Sequence, residues 1–375
     1  MRLLICAGGT GGGVYPALAV LERLNAKFED VQTLWVGGEG GMEAELVANT
    51  VSAAGAGIAF AAIPAAGLHG VGLRALPGNL WRLVRGFFAA RHLLHQFRPD
   101  VLFFTGGYVA APVALAGWRV STALYIPDIE PGMALKALTR FADRIAITAA
   151  DSQQFFPGRA ERLVETGYPV RHDLLNWDRP RAQVALGLQV DLPTLLVFGG
   201  SKGARSINRA LFAALPDLLT EMQIVHVSGT ANWEEAEAAY EKLPPDQAAR
   251  YHAHAYLHAE MGAAFAAADL VVARGGASTL GEFPVFGLPA ILVPYPYAWR
   301  YQKVNADYLA QRGAAVVLTD DELPENLAPL VRELMQDENR RKKMSAEMQA
   351  MAQPDAAASI AEILHQLAQQ SNHLE

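Results

Sequence analysis

A chain of 375 residues is too long for a single hydrophobic core, which stops growing near about 250–300 residues, and at 51% hydrophobic and 18% charged it is too apolar for a disordered chain. Its formal charge of −7 excludes a general nucleic-acid binder, and its one cysteine, Cys6, excludes an intramolecular disulfide or a cysteine metal cluster. The charge is uneven: nine Lys and Arg against four Asp and Glu between 70 and 148 leave that segment at +5 and the rest at −12.

In chain order, MRLLICAGGTGG carries one basic residue and a short apolar run that meets glycines, which is no signal peptide. A helical pattern over 16–24 follows, then short β-rich runs at 33–36, 101–104, 123–126 and 145–148. The stretches 47–73 and 101–118 are uncharged, but glycine and proline interrupt them, so neither is an apolar helix of about 20 residues. This predicts a soluble or peripheral protein. Past a polar, proline-punctuated stretch in 167–193 (NWDRPRAQ), the alternation resumes with strands at 194–198, 224–227, 270–272 and 290–293 and a helix over 204–219. A charged, Ala-rich tail over 322–369 reads as helices at 323–335, 338–351 and 356–367.

The two halves repeat. Leu4-Ile5-Cys6-Ala7-Gly8-Gly9-Thr10-Gly11-Gly12 matches Leu195-Leu196-Val197-Phe198-Gly199-Gly200-Ser201-Lys202-Gly203 at a constant offset of 191. Each copy is an apolar run, a glycine-rich turn with a hydroxyl residue, and a helix. Strands alternating with helices argue parallel sheets with crossover helices, hence an α/β chain of two Rossmann-like domains.

A strand that ends in glycines and opens a helix exposes backbone N–H groups and a positive helix end to an anion. The first turn fails the last glycine of G-x-G-x-x-G at Val14, and the chain has no G-x-x-x-x-G-K-[ST], which disfavours a dinucleotide oxidoreductase and a P-loop nucleotidase. A third turn, Arg274-Gly275-Gly276-Ala277-Ser278-Thr279-Leu280-Gly281-Glu282, puts a carboxylate into the first turns of the next helix. There Glu282 has the chemistry to hold a ribose diol, or simply pairs with the helix dipole. His252, His254 and His258 have the look of a metal cluster but lack convergent further ligands apart from Glu260, so no metal site is expected. The segment 73–95 interleaves Trp81, Leu83, Val84, Phe87 and Phe88 with Arg82, Arg85 and Arg91, either as a membrane-interface helix or as a core-packed helix with one wet face.

From Leu3 to about Gln366 the chain resembles the MurG glycosyltransferases. The first loop with Val14-Tyr15-Pro16-Ala17-Leu18-Ala19 carries that likeness, together with Gly106-Gly107-Tyr108-Val109 and Pro112. So do Gly199-Gly200-Ser201 with Gly203-Ala204-Arg205 and Asn208, the stretch from Met261 to Glu282, and Gly167-Tyr168-Pro169-Val170-Arg171. The resemblance implies a GT-B fold, two Rossmann-like domains facing a cleft, and inverting transfer of N-acetylglucosamine from UDP-GlcNAc to undecaprenyl-pyrophosphoryl-MurNAc-pentapeptide (lipid I), giving lipid II for peptidoglycan. It implies no cofactor and no metal, and a peripheral place on the cytoplasmic face of the cell membrane. The implied domains are an acceptor and membrane domain over 1–170, a linker over 171–192, a UDP-sugar domain over 193–350, and a C-terminal helix and tail over 351–375.

Residue by residue, the resemblance assigns Glu282 to the ribose hydroxyls and the Ala277, Ser278, Thr279, Leu280, Gly281 turn to the diphosphate. Ser201 and Arg171 go to donor phosphate, Gln302 to the sugar, and the backbone of His258 (or of Leu257) to the uracil. Thr10, Gly11 and Gly12 fall to the donor as well; Gly8, Gly9, Gly106, Gly107 and Tyr108 fall to the acceptor. Trp81, Arg82, Arg85, Phe87 and Phe88 form the membrane face. The departures lie in the acceptor half: Gly13 replaces the family's loop His, and Tyr125-Ile126-Pro127-Asp128 replaces its H-E-Q-N. Lys202 replaces the usual Gln, and Arg300-Tyr301 precede Gln302 where another polar pair is usual. Asp128 and Glu130 lie in the segment that would face the cleft, and of the two Asp128 is the expected replacement for the general base. Two rival readings keep their place, a GT-B enzyme that uses a UDP-sugar on another lipid acceptor and a catalytically weakened nucleotide-sugar-binding scaffold.

Overall fold

A computed structural model describes residues 1–8, 11–41, 43–44, 47–48, 58–67, 76–200, 203–297 and 301–372. The chain forms two compact units, Met1–Val170 with Pro354–Glu375, and Arg171–Gln353.

The first unit runs β1 (Arg2–Cys6), α1 (Gly11–Lys27), β2 (Gln32–Gly38), β3 (Ile58–Ile63), α2 (Leu76–Phe97), β4 (Val101–Phe104), α3 (Ala110–Ala116), β5 (Ser121–Ile126), α4 (Met133–Leu138), β6 (Arg144–Ile147) and β7 (Leu163–Glu165). Every pairing is parallel, in the order β3-β2-β1-β4-β5-β6-β7. All four residues of β4 are buried, as is expected of a parallel strand covered on both faces, and this is why its sequence is an unbroken VLFF. Leu4, Cys6, Leu102, Phe104, Leu124, Ile126 and Ile145 fill the core.

The second unit runs α5 (Arg179–Leu186), β8 (Thr194–Phe198), α6 (Arg205–Leu218), β9 (Gln223–Val227), α7 (Trp233–Tyr240), α8 (Pro245–Ala248), β10 (Tyr251–His254), α9 (Met261–Ala267), β11 (Leu270–Ala273), α10 (Glu282–Phe286), β12 (Ala290–Leu292), α11 (Tyr301–Gln311), β13 (Ala315–Val317), α12 (Leu323–Gln336) and α13 (Glu338–Ala350). Its sheet is again all parallel, in the order β10-β9-β8-β11-β12-β13. The apolar stripe of α6 packs Ile207, Leu211, Leu215 and Leu218 into a core with Leu195, Val197, Ile224 and Val272.

The structure corrects two sequence boundaries. The stretch 171–192 is not a free linker but part of the second unit. Its polar and proline residues are a helix start: Asp178 caps α5 by accepting the Arg181 N–H at 2.9 Å, and proline occupies the first turn. Arg179 then clamps Asp269 through two hydrogen bonds of 2.8 and 2.9 Å, while Asp269 also accepts the Thr194 N–H at the head of β8. At the other end, α14 (Ala356–Asn372) packs back onto the first unit. His365 stacks on Phe28 at 3.9 Å, Lys27 pairs with Glu362 at 2.6 Å, and Ile360, Ala361, Leu364 and Leu367 bury the apolar face. Strands β3, β7, β10 and β13 are not among the runs read from the sequence. Two of them are three residues long, and β3 carries little apolar bulk (IAFAAI).

In each sheet the strand order reverses once, between β1 and β4 and between β8 and β11. The loops that follow these four strands begin at Ala7, Thr105, Gly199 and Arg274, so all four glycine-rich motifs occupy the loops where an open α/β sheet binds ligand.

Candidate active site

In the first unit, Gly8 lies in the loop after β1, Gly11 and Gly12 form the first turn of α1, and Gly9 and Thr10 lie outside the described residues. The β4 loop closes on this turn. Gly107 adopts φ +89°, and a Cβ there would stand 3.1 Å from the Gly8 carbonyl oxygen, so only glycine allows this approach. Thr105 locks the two loops by donating its hydroxyl to the Gly13 carbonyl at 2.6 Å. A Cβ on Gly13 would meet the Thr105 carbonyl oxygen at 3.3 Å, so the position that the family fills with histidine is tight here. Beneath Gly8 lies Glu43, whose Oε1 accepts the Gly38 N–H at 2.7 Å. Tyr108 is exposed beside Gly67.

Tyr125 and Asp128, from the altered H-E-Q-N stretch, part company. Tyr125 is fully buried. Its hydroxyl bonds Thr148 Oγ1 at 2.8 Å, and Thr148 in turn approaches the Ile126 and Pro127 carbonyls at 3.0 and 2.9 Å. The phenol therefore ties the ends of β5 and β6 together, and burial pushes its pKa well up. Asp128 is half-buried past the end of β5, at the sheet edge that carries the glycine loops. Its charge adds to the rise at Tyr125.

In the second unit, Ser201 and Lys202 lie outside the described residues. The loop they belong to leaves at Gly203, φ +72°, where a Cβ would collide with the Ser228 carbonyl oxygen. Behind it a buried polar chain sets the loop. Asn208 donates Nδ2–H to the Ser228 carbonyl at 2.8 Å, which turns its Oδ1 toward His226 Nε2 at 3.1 Å. His226 thus carries its proton on Nε2, and its Nδ1, at 2.7 Å, accepts the Tyr251 hydroxyl proton.

After β11, Ala277–Leu280 makes a single 3-10 turn that leads into α10. Thr279 donates its hydroxyl to the Gly276 carbonyl at 2.6 Å, and Ser278 hydrogen-bonds the Glu282 carboxyl. Glu282 is half-buried at the start of α10. Desolvation raises its pKa to about 7, against Ser278 and Arg171, which lower it, and with Asp173, which raises it. The same field brings Arg171 to this carboxyl, its guanidinium also lying 3.2 Å from Asp173. Gln302 sits in the first turn of α11 and accepts the Tyr295 N–H at 2.8 Å. The structure thus brings Arg171, Ser278 and Glu282 together and puts Gln302 on the element that packs under Gly275.

His252 and His254 share one face of β10, whereas His258 is exposed in the following turn with its ring 4.7 Å from Tyr256. Among the described residues no three His, Cys, Asp or Glu converge as metal ligands. The His258 carbonyl accepts the Met261 N–H at 3.3 Å and opens α9.

Sequence reading missed His226, Tyr251, Thr148, Thr105 and Glu43. All but Glu43, which bonds Gly38 five residues back, act through a partner far away in the chain, and none carries a local pattern.

His226 is fully buried, and burial, helped by His254, lowers its pKa from 6.5 to about 3. Between those values the unfolded chain takes up a proton that the folded one refuses, so stability is complete above pH 6.5 and is lost as pH falls. The loss amounts to about 2 kcal/mol between pH 6.5 and 5. Imidazole NMR is expected to show the Nε2-protonated ring without titration from pH 8 to 5, and urea unfolding of His226→Gln to lack this part of the acid sensitivity.

Two parallel α/β units, each with paired glycine loops at its reversal point and one with a carboxylate at a helix start, fit the GT-B fold of glycosyltransferases. The glycosyltransferase family 28 models agree, the N-terminal domain matching 3–147 and the C-terminal domain 194–360. A Roseiflexus protein named UDP-N-acetylglucosamine--N-acetylmuramyl-(pentapeptide) pyrophosphoryl-undecaprenol N-acetylglucosamine transferase is 41% identical, over 98% of this chain and 95% of its own. One of the same name from Desulforamulus reducens is 38% identical over 96% of this chain and 97% of its own. The crystal structure of MurG from Acinetobacter baumannii superposes with a TM-score of 0.74 at 27% identity, covering 97% of this chain and 99% of that one. The chain belongs to the MurG family of glycosyltransferases.

Proposed function

We propose that this protein transfers N-acetylglucosamine from UDP-GlcNAc to undecaprenyl-pyrophosphoryl-MurNAc-pentapeptide, the reaction in the name its relatives carry. What supports this above all is Glu282, a carboxyl at the start of α10 with Arg171 and Ser278 in its field, directly after a glycine turn. A carboxylate there accepts both hydroxyls of a ribose, while the N–H groups of 277–281 and the Arg171 guanidinium take the diphosphate. Ser201 and Lys202 would add to the phosphate side, Gln302 reads the sugar, and the backbone at His258 holds the uracil. In the first unit Gly8, Gly9 and the loop at Gly106–Tyr108 receive the acceptor's pyrophosphate. The active form needs no organic cofactor, since the donor carries its own leaving group.

Inverting transfer requires a base for the attacking hydroxyl and positive potential for the departing UDP. With glycine at 13 and a buried tyrosine at 125, Asp128 and Glu130 are the carboxylates past the end of β5, and we assign the base to Asp128. Purified protein with labelled UDP-GlcNAc and a lipid I analogue is expected to give lipid II product. Asp128→Asn should lower kcat by about 100-fold or more with the donor KM unchanged. Donor binding without transfer in the wild type would favour the scaffold reading, and unaltered turnover in Asp128→Asn would remove Asp128 from the role.

Glu282 makes donor binding depend on pH. The form that accepts two ribose hydroxyls is the ionised one, and the ligand-free group is half protonated near pH 7. UDP affinity is therefore expected to rise from pH 6 to pH 8 with proton release, measurable by calorimetry in two buffers of different ionisation enthalpy. Glu282→Gln should bind more weakly and without that slope.

We further propose that α2 seats the protein on the cytoplasmic face of the cell membrane. No helix among the described residues is long and apolar enough to cross a membrane. Yet α2 buries only Gly86 and Ala90, and it exposes Leu80, Trp81, Val84 and Phe88, with Trp81 and Phe88 each more than 60% accessible. Phe87, half-buried, packs its ring edge-on against Phe88. Arg82 and Arg85 are exposed on the same helix, and Trp118 beneath Arg119 adds a further aromatic after α3. Apolar rings beside arginines suit an anionic lipid interface. The wild type is expected to co-sediment with vesicles containing phosphatidylglycerol, and a Trp81→Ala, Phe88→Ala double variant to bind about tenfold or more weakly.

A further inference from the structure

Arg274 stands at the head of the glycine turn that leads to Glu282, where an arginine reads as a ligand for phosphate. The structure turns it inward. Arg274 is 9% exposed, and its guanidinium is spent on three separate elements of the second unit. Nη1 donates to Asp320 Oδ1 at 2.6 Å, past the end of β13, and to the Val293 carbonyl at 3.1 Å, past the end of β12. Nη2 donates to Ser206 Oγ at 2.8 Å, in the first turn of α6. Ser206 completes the ring by donating its hydroxyl to Asp320 Oδ1 at 3.1 Å. The ring of Tyr295 lies 5.2 Å from the guanidinium.

Those elements are the ones the donor reading uses. Ser206 lies in the first turn of the helix that follows the Gly199–Gly203 loop, and Arg274 directly precedes Gly275. Val293 and Tyr295 belong to the segment whose Tyr295 N–H is bonded to Gln302 Oε1. Gly275 in turn is held to α11, its carbonyl accepting Asn305 Nδ2–H at 3.2 Å. A partly solvated ion pair would suffice to hold a single loop. A fork bonded to three elements at once fixes their relative spacing, because guanidinium geometry is rigid and both of its outer nitrogens are committed.

We propose that Arg274, Ser206 and Asp320 form a positioning cluster that holds the two glycine loops of the second unit at the spacing a nucleoside diphosphate requires. None of the three touches the diphosphate. The proposal rests on the reading that this unit holds the donor. A displacement of about 1 Å in a binding constellation can cost up to 100-fold, so variants of residues remote from the ligand should lose affinity for it.

The test is calorimetric titration of UDP into the full-length protein, with urea unfolding of each variant alongside. Asp320→Asn keeps the shape and removes the charge; Ser206→Ala removes one hydroxyl, the milder change should Asp320→Asn fold poorly. Both are expected to weaken UDP binding, about tenfold and about threefold, with the acceptor KM unchanged. Arg274→Lys should fall with Asp320→Asn, and the double variant should be little worse than either single one. If Arg274 instead reached the phosphates, releasing it in Asp320→Asn would leave UDP binding intact or tighter, which overturns the proposal. Variants that lose stability yet bind UDP like the wild type also overturn it, leaving the cluster a structural one. Failure of the donor reading itself would show differently, as a wild type that does not bind UDP.

Discussion

Everything functional in this chain depends on one constraint of parallel sheets. Where the strand order reverses, two adjacent strands send their connections in opposite directions, and the loops between them carry backbone N–H groups that no neighbouring strand can use. The chain meets this twice, at β1/β4 and at β8/β11. Each time it answers with glycine, so that the backbone can bend tightly and come close to a ligand or to the opposite loop. The approach of Gly107 to Gly8 and of Gly203 to Ser228 are two places where a Cβ would close that space.

Glycine gives access at the expense of rigidity, and the rigidity is restored from below by buried polar groups. Thr105 links the first pair of loops through the Gly13 carbonyl. Asn208, His226 and Tyr251 stiffen the strand behind Gly203, and the Arg274 fork spaces the loops of the second unit. Such networks repay their desolvation only when every member is bonded, and His226, with both ring nitrogens engaged, shows that condition met. Burial keeps the ring neutral. The carboxyl of Glu282 is treated differently: it stays half-buried, and its ionisation is left near neutrality.

The altered motif at 125–128 shows how a family position changes its work. Tyr125 fills its site with a phenol that braces β5 against β6, a structural duty, and of the four residues 125–128 Asp128 is the one with a charge. The tightness at Gly13 against Thr105 belongs to the same adjustment. These are departures within the first unit, whereas the turn from Arg274 to Glu282 keeps the glycines and the carboxylate that the resemblance assigns to the donor.

The sequence by itself determined the alternation of strands and helices, the two-unit plan and the four glycine turns. Each of these is written in local apolar runs and in spacing along the chain. It also held the family likeness and hence the candidate donor residues. It misplaced 171–192, because Asp178 and Pro180 punctuate a linker and a helix cap alike until Asp269 is seen to clamp Arg179. Likewise it set the last helix apart over 351–375 without giving it to either unit, although Phe28 and Lys27 are what hold it. Tertiary structure alone decided that α2 leaves Trp81 and Phe88 uncovered, that Arg274 faces inward, and that His226 is neutral. The reason is common to all three: exposure, direction and charge state are set by partners distant in the chain, and no local pattern encodes a partner that only folding brings near.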